Sequence, residues 1–167
     1  MVSSRALASG RRICEVLDAE IDLTDENAAS PEAVVTDGEI EFKGVSFEYP
    51  DDHNKVFTNL NLNIKSGEKI AFVGPSGGGK TTLCNLIPRF YEIKDGDITI
   101  DGKSIKSYTL KSLRDNIGIV QQDVYLFSGT VYENIAYGKP GATEEEIIEA
   151  AKKAGADEFI TQLKDGY

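Results

Sequence analysis

The sequence predicts an α/β fold, and three observations support this prediction. The run Ile70-Ala71-Phe72-Val73 is continuously apolar, which is typical of a strand covered on both faces of a parallel sheet. Residues 40–49, 60–64 and 98–100 alternate between apolar and polar side chains, which indicates antiparallel strands with one exposed face. Residues 143–154 carry apolar side chains at helical spacing. Strands of both kinds therefore combine with helices.

Composition limits the classes of function. The chain has 167 residues, which suits one domain or a piece of a larger one. Its 28 acidic residues against 18 basic ones give a net charge of -10, which disfavours nonspecific binding to nucleic acid or anionic membranes. Two distant cysteines, Cys14 and Cys84, and the single histidine, His53, indicate neither a zinc cluster nor a disulfide framework. We expect a soluble segment in a reducing compartment, with no nucleic-acid partner.

The N-terminal residues predict a helix and then a linker. Residues 1–21 include an amphipathic segment with apolar side chains on roughly one helical face. Residues 22–37 are acidic, small and without a sustained period, as expected of a surface linker. A domain boundary is therefore predicted there, with residues 38–167 forming the main domain.

The strand patterns contain two local signals. Ile40 and Phe42 alternate in one phase, whereas Val45, Phe47 and Tyr49 alternate in the other. One extra residue near Lys43-Gly44 would produce this change, as a glycine β-bulge does. Further along, residues 98–100 run into Asp101-Gly102, a dipeptide that favours a tight hairpin turn.

The later elements alternate between helix and strand. A helix is predicted from Lys80, and Pro88 should end or kink it in its third turn. Residues 117–120 are a second candidate for a short buried strand. Thr143 and Glu146 form a capping box that begins a final helix, whose predicted buried stripe is Ile147, Ile148, Ala151 and Ala154.

One segment carries the chemistry of a phosphate site. It matches the pattern G-x-x-x-x-G-K-[ST] between the predicted buried strand and the helix, and its residues are Gly74, Pro75, Ser76, Gly77, Gly78, Gly79, Lys80 and Thr81. Glycines let successive backbone N–H groups point into one concavity that fits a phosphate. Lys80 adds a positive charge, and the Thr81 hydroxyl suits Mg²⁺. The alternative is a glycine-rich turn that only redirects the chain, and the flanking elements disfavour it.

Three stretches carry a resemblance to a known family: GVSFEYP, then VFTNLNLNIKSGEKIAFVGPSGGGKTTLCNLIPRFYEIKDGDITIDG, then SLRDNIGIVQQDVYLFSGTVYENIAYG. Together they resemble the nucleotide-binding domain of an ABC transporter of the exporter type, from about Gly38 to Tyr167. The resemblance implies a partial P-loop NTPase core with an antiparallel β subdomain and the start of a helical subdomain. It also implies that residues 1–21 are the cytosolic end of the last transmembrane helix, and that ATP and Mg²⁺ are the ligands.

The resemblance extends to individual residues. Tyr49 matches the aromatic residue that stacks on adenine, although a core tyrosine in the same stripe is the alternative. Val56 could pad the same base. Thr82 could add a hydroxyl to the α-phosphate, and the alternative is that it is simply an early residue of the helix. Gln122, chosen over Gln121 because Asp123 follows it, matches the glutamine that contacts Mg²⁺ and the attacking water.

The resemblance also implies partners and a location. The stretch 124–135 is rich in apolar side chains, and in this family a cytoplasmic loop of the transmembrane domain covers it. A second nucleotide-binding domain, identical or different, closes the site. The expected location is the cytoplasmic face of a cell membrane.

Several parts of the family pattern do not occur in these 167 residues. Hydrolysis needs a carboxylate at the metal and a group that positions water. The family's strand ending in Asp-Glu, its later histidine and its LSGGQ-type signature are all absent from the sequence. We expect the parent protein to hydrolyse ATP and this portion to be inactive. A non-transport ABC ATPase and a nucleotide-binding module without catalysis are the alternatives.

Overall fold

A computed structural model describes residues 2–19, 23–25, 35–50, 54–121 and 124–167. The chain divides into two units, residues 1–119 and 120–167. The helices and strands of the first unit are α1 (Val2–Leu17), β1 (Ile40–Glu48), β2 (Lys55–Ile64), α2 (Lys80–Leu86), β3 (Asp95–Ile100), β4 (Lys103–Ser104) and α3 (Leu110–Arg114), with a 3-10 turn at Ile105–Ser107. Those of the second unit are α4 (Val131–Ala136), α5 (Glu144–Lys153) and α6 (Asp157–Gln162).

Helix α1 confirms the predicted N-terminal helix and ends at Leu17. Its apolar side chains Leu7, Ile13, Val16 and Leu17 are exposed. Across the described part of the chain, no helix combines the length and apolar character needed to cross a bilayer.

The sheet of the first unit is antiparallel, with the strand order β2-β1-β3-β4. The predicted bulge is present, because the pairing of β1 with β2 shifts register between Phe42 and Val45. Gly44 lies at the shift with a φ of 61°, a conformation that glycine adopts easily. Its N–H donates to Oδ1 of Asn61 at 2.9 Å. The bulge turns Phe42, Val45 and Phe47 to the same buried face of β1.

Strands β3 and β4 form the predicted hairpin. Asp101 and Gly102 make the turn with φ values of 51° and 75°, and Ile100 pairs with Lys103 across it. The expectation of a half-exposed strand was wrong for β3, because Thr99 is only 4% exposed. β3 lies between β1 and β4 in the sheet, and Ile98, Thr99 and Ile100 are all buried, so both faces of its last three residues are covered.

The core of the first unit includes side chains of the sheet, α2 and α3. From α2, Leu83 and Leu86 are buried, and the helix ends two residues before Pro88, as predicted. The buried cluster consists of Phe42, Val45, Phe47, Leu83, Leu86, Ile93, Ile98, Ile100, Ile105, Tyr108 and Leu113.

The two predicted buried strands are not present in the structure. Residues 68–75 and 117–121 have no strand conformation, and Val73 and Val120 are 94% and 101% exposed. A parallel strand needs hydrogen-bonding neighbours and a layer on each face. Neither segment pairs with a strand among the described residues. Phe72 and Ile117 pack against the core cluster of the first unit, whereas Val73 and Val120 remain exposed.

The second unit contains the predicted C-terminal helix. Thr143 and Glu146 make the expected capping box at the start of α5, and Ile147 and Ala151 are buried. Ala154 is exposed, contrary to the predicted stripe, because the helix ends at Lys153. A second capping box, which the sequence analysis missed, begins α4 at Thr130.

Candidate nucleotide-binding site

The loop before α2 has an irregular backbone that depends on glycine. Gly77 and Gly79 have φ values of 78° and 81°, in the region that side-chain-bearing residues rarely adopt. The N–H of Gly78 donates to the carbonyl of Pro75 at 3.2 Å, which closes a turn. A Cβ added at Gly74 or Gly77 would meet no atom within 4 Å. The loop is therefore tightly turned and open on the side of these two residues.

Lys80 joins the two ends of this loop. It is the first residue of α2, and its Nζ donates to the carbonyl oxygens of Gly74 at 2.8 Å and Pro75 at 2.7 Å. A lysine ammonium has three N–H donors, so one donor is left for another acceptor. These two contacts place the positive charge of the Lys80 ammonium against the loop that the motif predicts to bind phosphate.

The two threonines that follow point in different directions. Thr81 is exposed, and its hydroxyl has no hydrogen-bond partner among the described residues. Thr82 is only 6% exposed, and its Oγ1 lies 2.8 Å from the hydroxyl oxygen of Tyr49. Successive residues of a helix project about 100° apart, which accounts for the difference. Only the Thr81 hydroxyl is open to a ligand from solvent.

Tyr49 lies directly after β1, and the structure brings it to α2 although 33 residues separate it from Thr82. Its ring meets those of Phe47 and Tyr91 edge to face, at centroid distances of 5.1 Å and 5.2 Å. The ring is half-buried and packs against the core cluster. Tyr49 therefore has features of both sequence interpretations: it extends the apolar stripe of β1 and also lies beside the residues after Lys80.

Val56 also lies close to the loop. A Cβ added at Gly79 would come within 2.8 Å of Cγ1 of Val56 and of a ring carbon of Phe57. Gly79 is therefore required for two reasons, its backbone conformation and the close approach of β2.

Phe57 and Tyr91, which border the site, were not predicted from the sequence. Phe57 pairs with Phe47 across β1 and β2. A single stretch of sequence could not predict this pairing, because it depends on the register of the sheet.

One predicted site residue lies outside the described part of the chain. It is Gln122, which the family resemblance assigns to Mg²⁺; His53, to which no role is assigned, also lies outside the described residues. Among the residues that are described, no group of three or more histidine, cysteine, aspartate or glutamate side chains could hold a metal ion. A magnesium ion here would take the Thr81 hydroxyl together with oxygens from its nucleotide and water, which fits the preference of Mg²⁺ for oxygen ligands and retained water.

Comparison with protein families decides the affiliation of the chain. A family model described as "ABC transporter" matches residues 57–166, which include the glycine-rich loop, Lys80 and both threonines. The chain belongs to the ABC transporter family. Membership implies nucleotide binding, and it confirms the α/β fold with a partial P-loop NTPase core.

Relatives of this ABC domain are found among bacterial proteins. An uncharacterized ABC transporter ATP-binding protein of Bacillus subtilis (strain 168), YwjA, is 52% identical over 162 residues, covering 97% of this chain and 28% of that protein. A protein of Staphylococcus aureus (strain NCTC 8325 / PS 47), provisionally named a multidrug export ATP-binding/permease protein, is 48% identical over 155 residues. That match covers 93% of this chain and 27% of the relative.

A solved structure with the same fold is titled as a bacterial Atm1-family ABC exporter with ATP bound. It matches with a TM-score of 0.85 and 38% sequence identity, covering 98% of this chain and 29% of that one. The ABC domain described here therefore spans somewhat more than a quarter of the length of the proteins it resembles. The Staphylococcus aureus relative is named as both an ATP-binding and a permease protein, and the solved structure is that of an exporter.

Proposed function

We propose that this chain is the ATP-binding portion of an exporter that couples the binding and hydrolysis of ATP to transport of a substrate across a membrane. The observation that carries the proposal is the position of Lys80, whose ammonium lies against the carbonyls of Gly74 and Pro75. This arrangement puts a cation and open backbone at one place in a protein of net charge -10. The anion is therefore attracted locally, and not by the field of the whole chain.

Each site residue has a proposed role toward Mg-ATP. The loop from Gly74 to Gly79 surrounds the phosphates, and Lys80 neutralises part of their charge. The exposed Thr81 hydroxyl would hold Mg²⁺, and Gln122 is assigned to the same ion by the family resemblance alone. Bound Mg²⁺ would stabilise negative charge while a phosphoryl group is transferred to water. Tyr49 provides an aromatic face for the base, since stacking suits any base, and Val56 borders it.

The partners follow from the exporter-type relatives and from one exposed surface. Val124, Tyr125, Leu126 and Phe127 are all more than half exposed, and a run of large apolar side chains on the surface favours a protein contact. We propose that a cytoplasmic loop of the transmembrane domain covers this run. A second nucleotide-binding domain would complete the site, and the assembly would lie at the cytoplasmic face of the membrane.

The names of the relatives favour transport over a non-transport ABC ATPase. We expect the parent protein to hydrolyse ATP. These 167 residues should show no turnover above a Lys80→Ala control, because the family's strand ending in Asp-Glu, its later histidine and its LSGGQ-type signature do not occur among them.

Equilibrium binding of ATP to the 167-residue chain, with and without Mg²⁺, tests the proposal. We expect saturable binding that Lys80→Ala weakens at least tenfold, about 1.4 kcal/mol. The matched control is Lys103→Ala, which removes an exposed lysine of β4 and should change the Kd less than twofold. Absence of saturable binding, or equal affinity in Lys80→Ala and the unaltered chain, would contradict the proposal.

A further inference from the structure

The contact between Tyr49 and Thr82 links the two halves of the proposed site. The two hydroxyl oxygens lie 2.8 Å apart and either can donate. Tyr49 belongs to the proposed base platform after β1, whereas Thr82 follows the residues proposed to hold phosphate and metal. No other polar contact of the Tyr49 side chain occurs among the described residues.

The aromatic neighbours restrain Tyr49 incompletely. Phe47 and Tyr91 meet its ring at interplanar angles of 80° and 90°, and such edge-to-face contacts are tolerant of small rotations. A hydrogen bond at the far end of the ring adds a directional restraint, because donor and acceptor must be aligned. Thr82 can supply this restraint from a fixed position, since it is buried within α2.

We infer that Thr82 is a positioning residue, whose hydroxyl holds the Tyr49 ring at a set distance from the phosphate loop so that one nucleotide reaches both. The inference rests on the proposed function. This role is additional to any contact of Thr82 with the α-phosphate, because a threonine hydroxyl has one donor and two acceptor sites and the bond to Tyr49 uses one of them. Loss of the Tyr49 hydroxyl should therefore weaken recognition of the base and leave recognition of phosphate unchanged.

A double-mutant cycle with two ligands tests this inference. Tyr49→Phe, Thr82→Val and the double variant are prepared in the 167-residue chain, and binding of Mg-ATP is compared with binding of Mg-tripolyphosphate, which has no base. We expect each single variant to weaken ATP binding about fivefold, in line with the loss of one neutral hydrogen bond. The double variant should be no weaker than Thr82→Val, and Tyr49→Phe should change tripolyphosphate binding less than twofold.

Two further variants separate positioning from packing. Thr82→Ser keeps the hydroxyl and should retain ATP binding within twofold. Tyr91→Phe is the matched control, because it removes a hydroxyl from the same aromatic cluster without touching Thr82, and it should leave ATP binding unchanged. If Thr82→Val does not fold, the comparison of Tyr49→Phe on the two ligands still decides, since unchanged ATP binding in that variant would overturn the inference.

The failures of the inference and of the proposed function are distinct. The positioning role would be overturned, while the site still binds nucleotide, by either of two results. One is that the fold-losses of the single variants multiply in the double variant, and the other is that Tyr49→Phe weakens tripolyphosphate binding as much as ATP binding. If the unaltered chain binds neither ATP nor tripolyphosphate, the proposed function itself fails, and the inference fails with it.

Discussion

Asp101 and Glu39 are joined by two hydrogen bonds that run in opposite directions. The N–H of Asp101 donates to the carbonyl of Glu39 at 2.9 Å, and the N–H of Glu39 donates to Oδ1 of Asp101 at 3.0 Å. The other carboxylate oxygen accepts the N–H groups of Thr36 and Asp37 at 2.8 Å and 3.1 Å. One side chain at the β3–β4 turn thus fixes the segment that enters β1.

We predict that Asp101→Asn destabilises the fold in a pH-dependent way. Burial acts to raise the pKa of Asp101, but the N–H groups of Thr36, Glu39 and Asp37 lower it overall below 3.8. Because the pKa of Asp101 is lower in the folded than in the unfolded protein, the ionised carboxylate stabilises the fold at pH values above its unfolded-state pKa. This contribution is lost as pH falls through the folded-state pKa. The loss should be about 1–3 kcal/mol at pH 7, and should shrink as pH falls below about 4.

Urea denaturation at several pH values measures this difference. Asp115→Asn is the control, because Asp115 is exposed and pairs with Lys111 on the surface of the protein, where an ion pair contributes little. An equal loss of stability at pH 7 and pH 3 in Asp101→Asn would show that the ionised carboxylate is not the stabilising group.

Gly79→Ala should destabilise the protein more than Gly77→Ala. Both glycines have φ values near 80°, so each substitution costs about 1–2 kcal/mol in backbone strain. Only at position 79 does the new Cβ approach Val56 and Phe57 within 2.9 Å, which adds about 1–3 kcal/mol of overpacking. Thermal unfolding of the two variants measures the difference, and equal losses would contradict the close approach of β2.

Thr99→Val should stabilise the protein. Thr99 is buried in β3, and its hydroxyl has no hydrogen-bond partner among the described residues. Removing an unsatisfied buried hydroxyl recovers about 1 kcal/mol or more. The same substitution at Thr109 should have the opposite sign, because its hydroxyl accepts the N–H of Ser112 at the start of α3 and loss of such a cap costs about 1 kcal/mol. A lower melting temperature for Thr99→Val would refute the prediction.

Tyr167 should titrate well above an ordinary tyrosine. Its hydroxyl donates to Oδ1 of Asp157 at 2.6 Å, and this bond, before burial and the charge of Asp157, raises its pKa to about 12. The hydrogen bond made by the protonated Tyr167 hydroxyl therefore stabilises the second unit below pH 10. This contribution is lost as pH rises from about 10 to 12, where the hydroxyl ionises. Tyrosinate absorbance, taken as the difference between the unaltered chain and Tyr167→Phe, measures the step. Asp157→Asn should move it towards pH 10, and an unmoved step would disprove the assignment.

Local rules predicted much of the fold. The bulge at Gly44 and the turn at Asp101-Gly102 follow from the backbone freedom of glycine and the change of phase between apolar residues. The capping box at Thr143 depends on residues three positions apart. The predicted strand at 70–73 did not form, because a continuous apolar run indicates a need for cover and does not show which residues provide it.

Some features of the candidate site were likewise determined by local sequence, and others only by the tertiary structure. The glycine-rich loop, Lys80 and Thr81 are eight consecutive residues, so the sequence by itself determined their order and their chemistry. Which threonine faces Tyr49, and how closely Val56 and Phe57 approach Gly79, was decided only by the tertiary structure. These contacts join residues more than twenty positions apart, and they depend on the register of the sheet and the packing of α2, which no local pattern specifies.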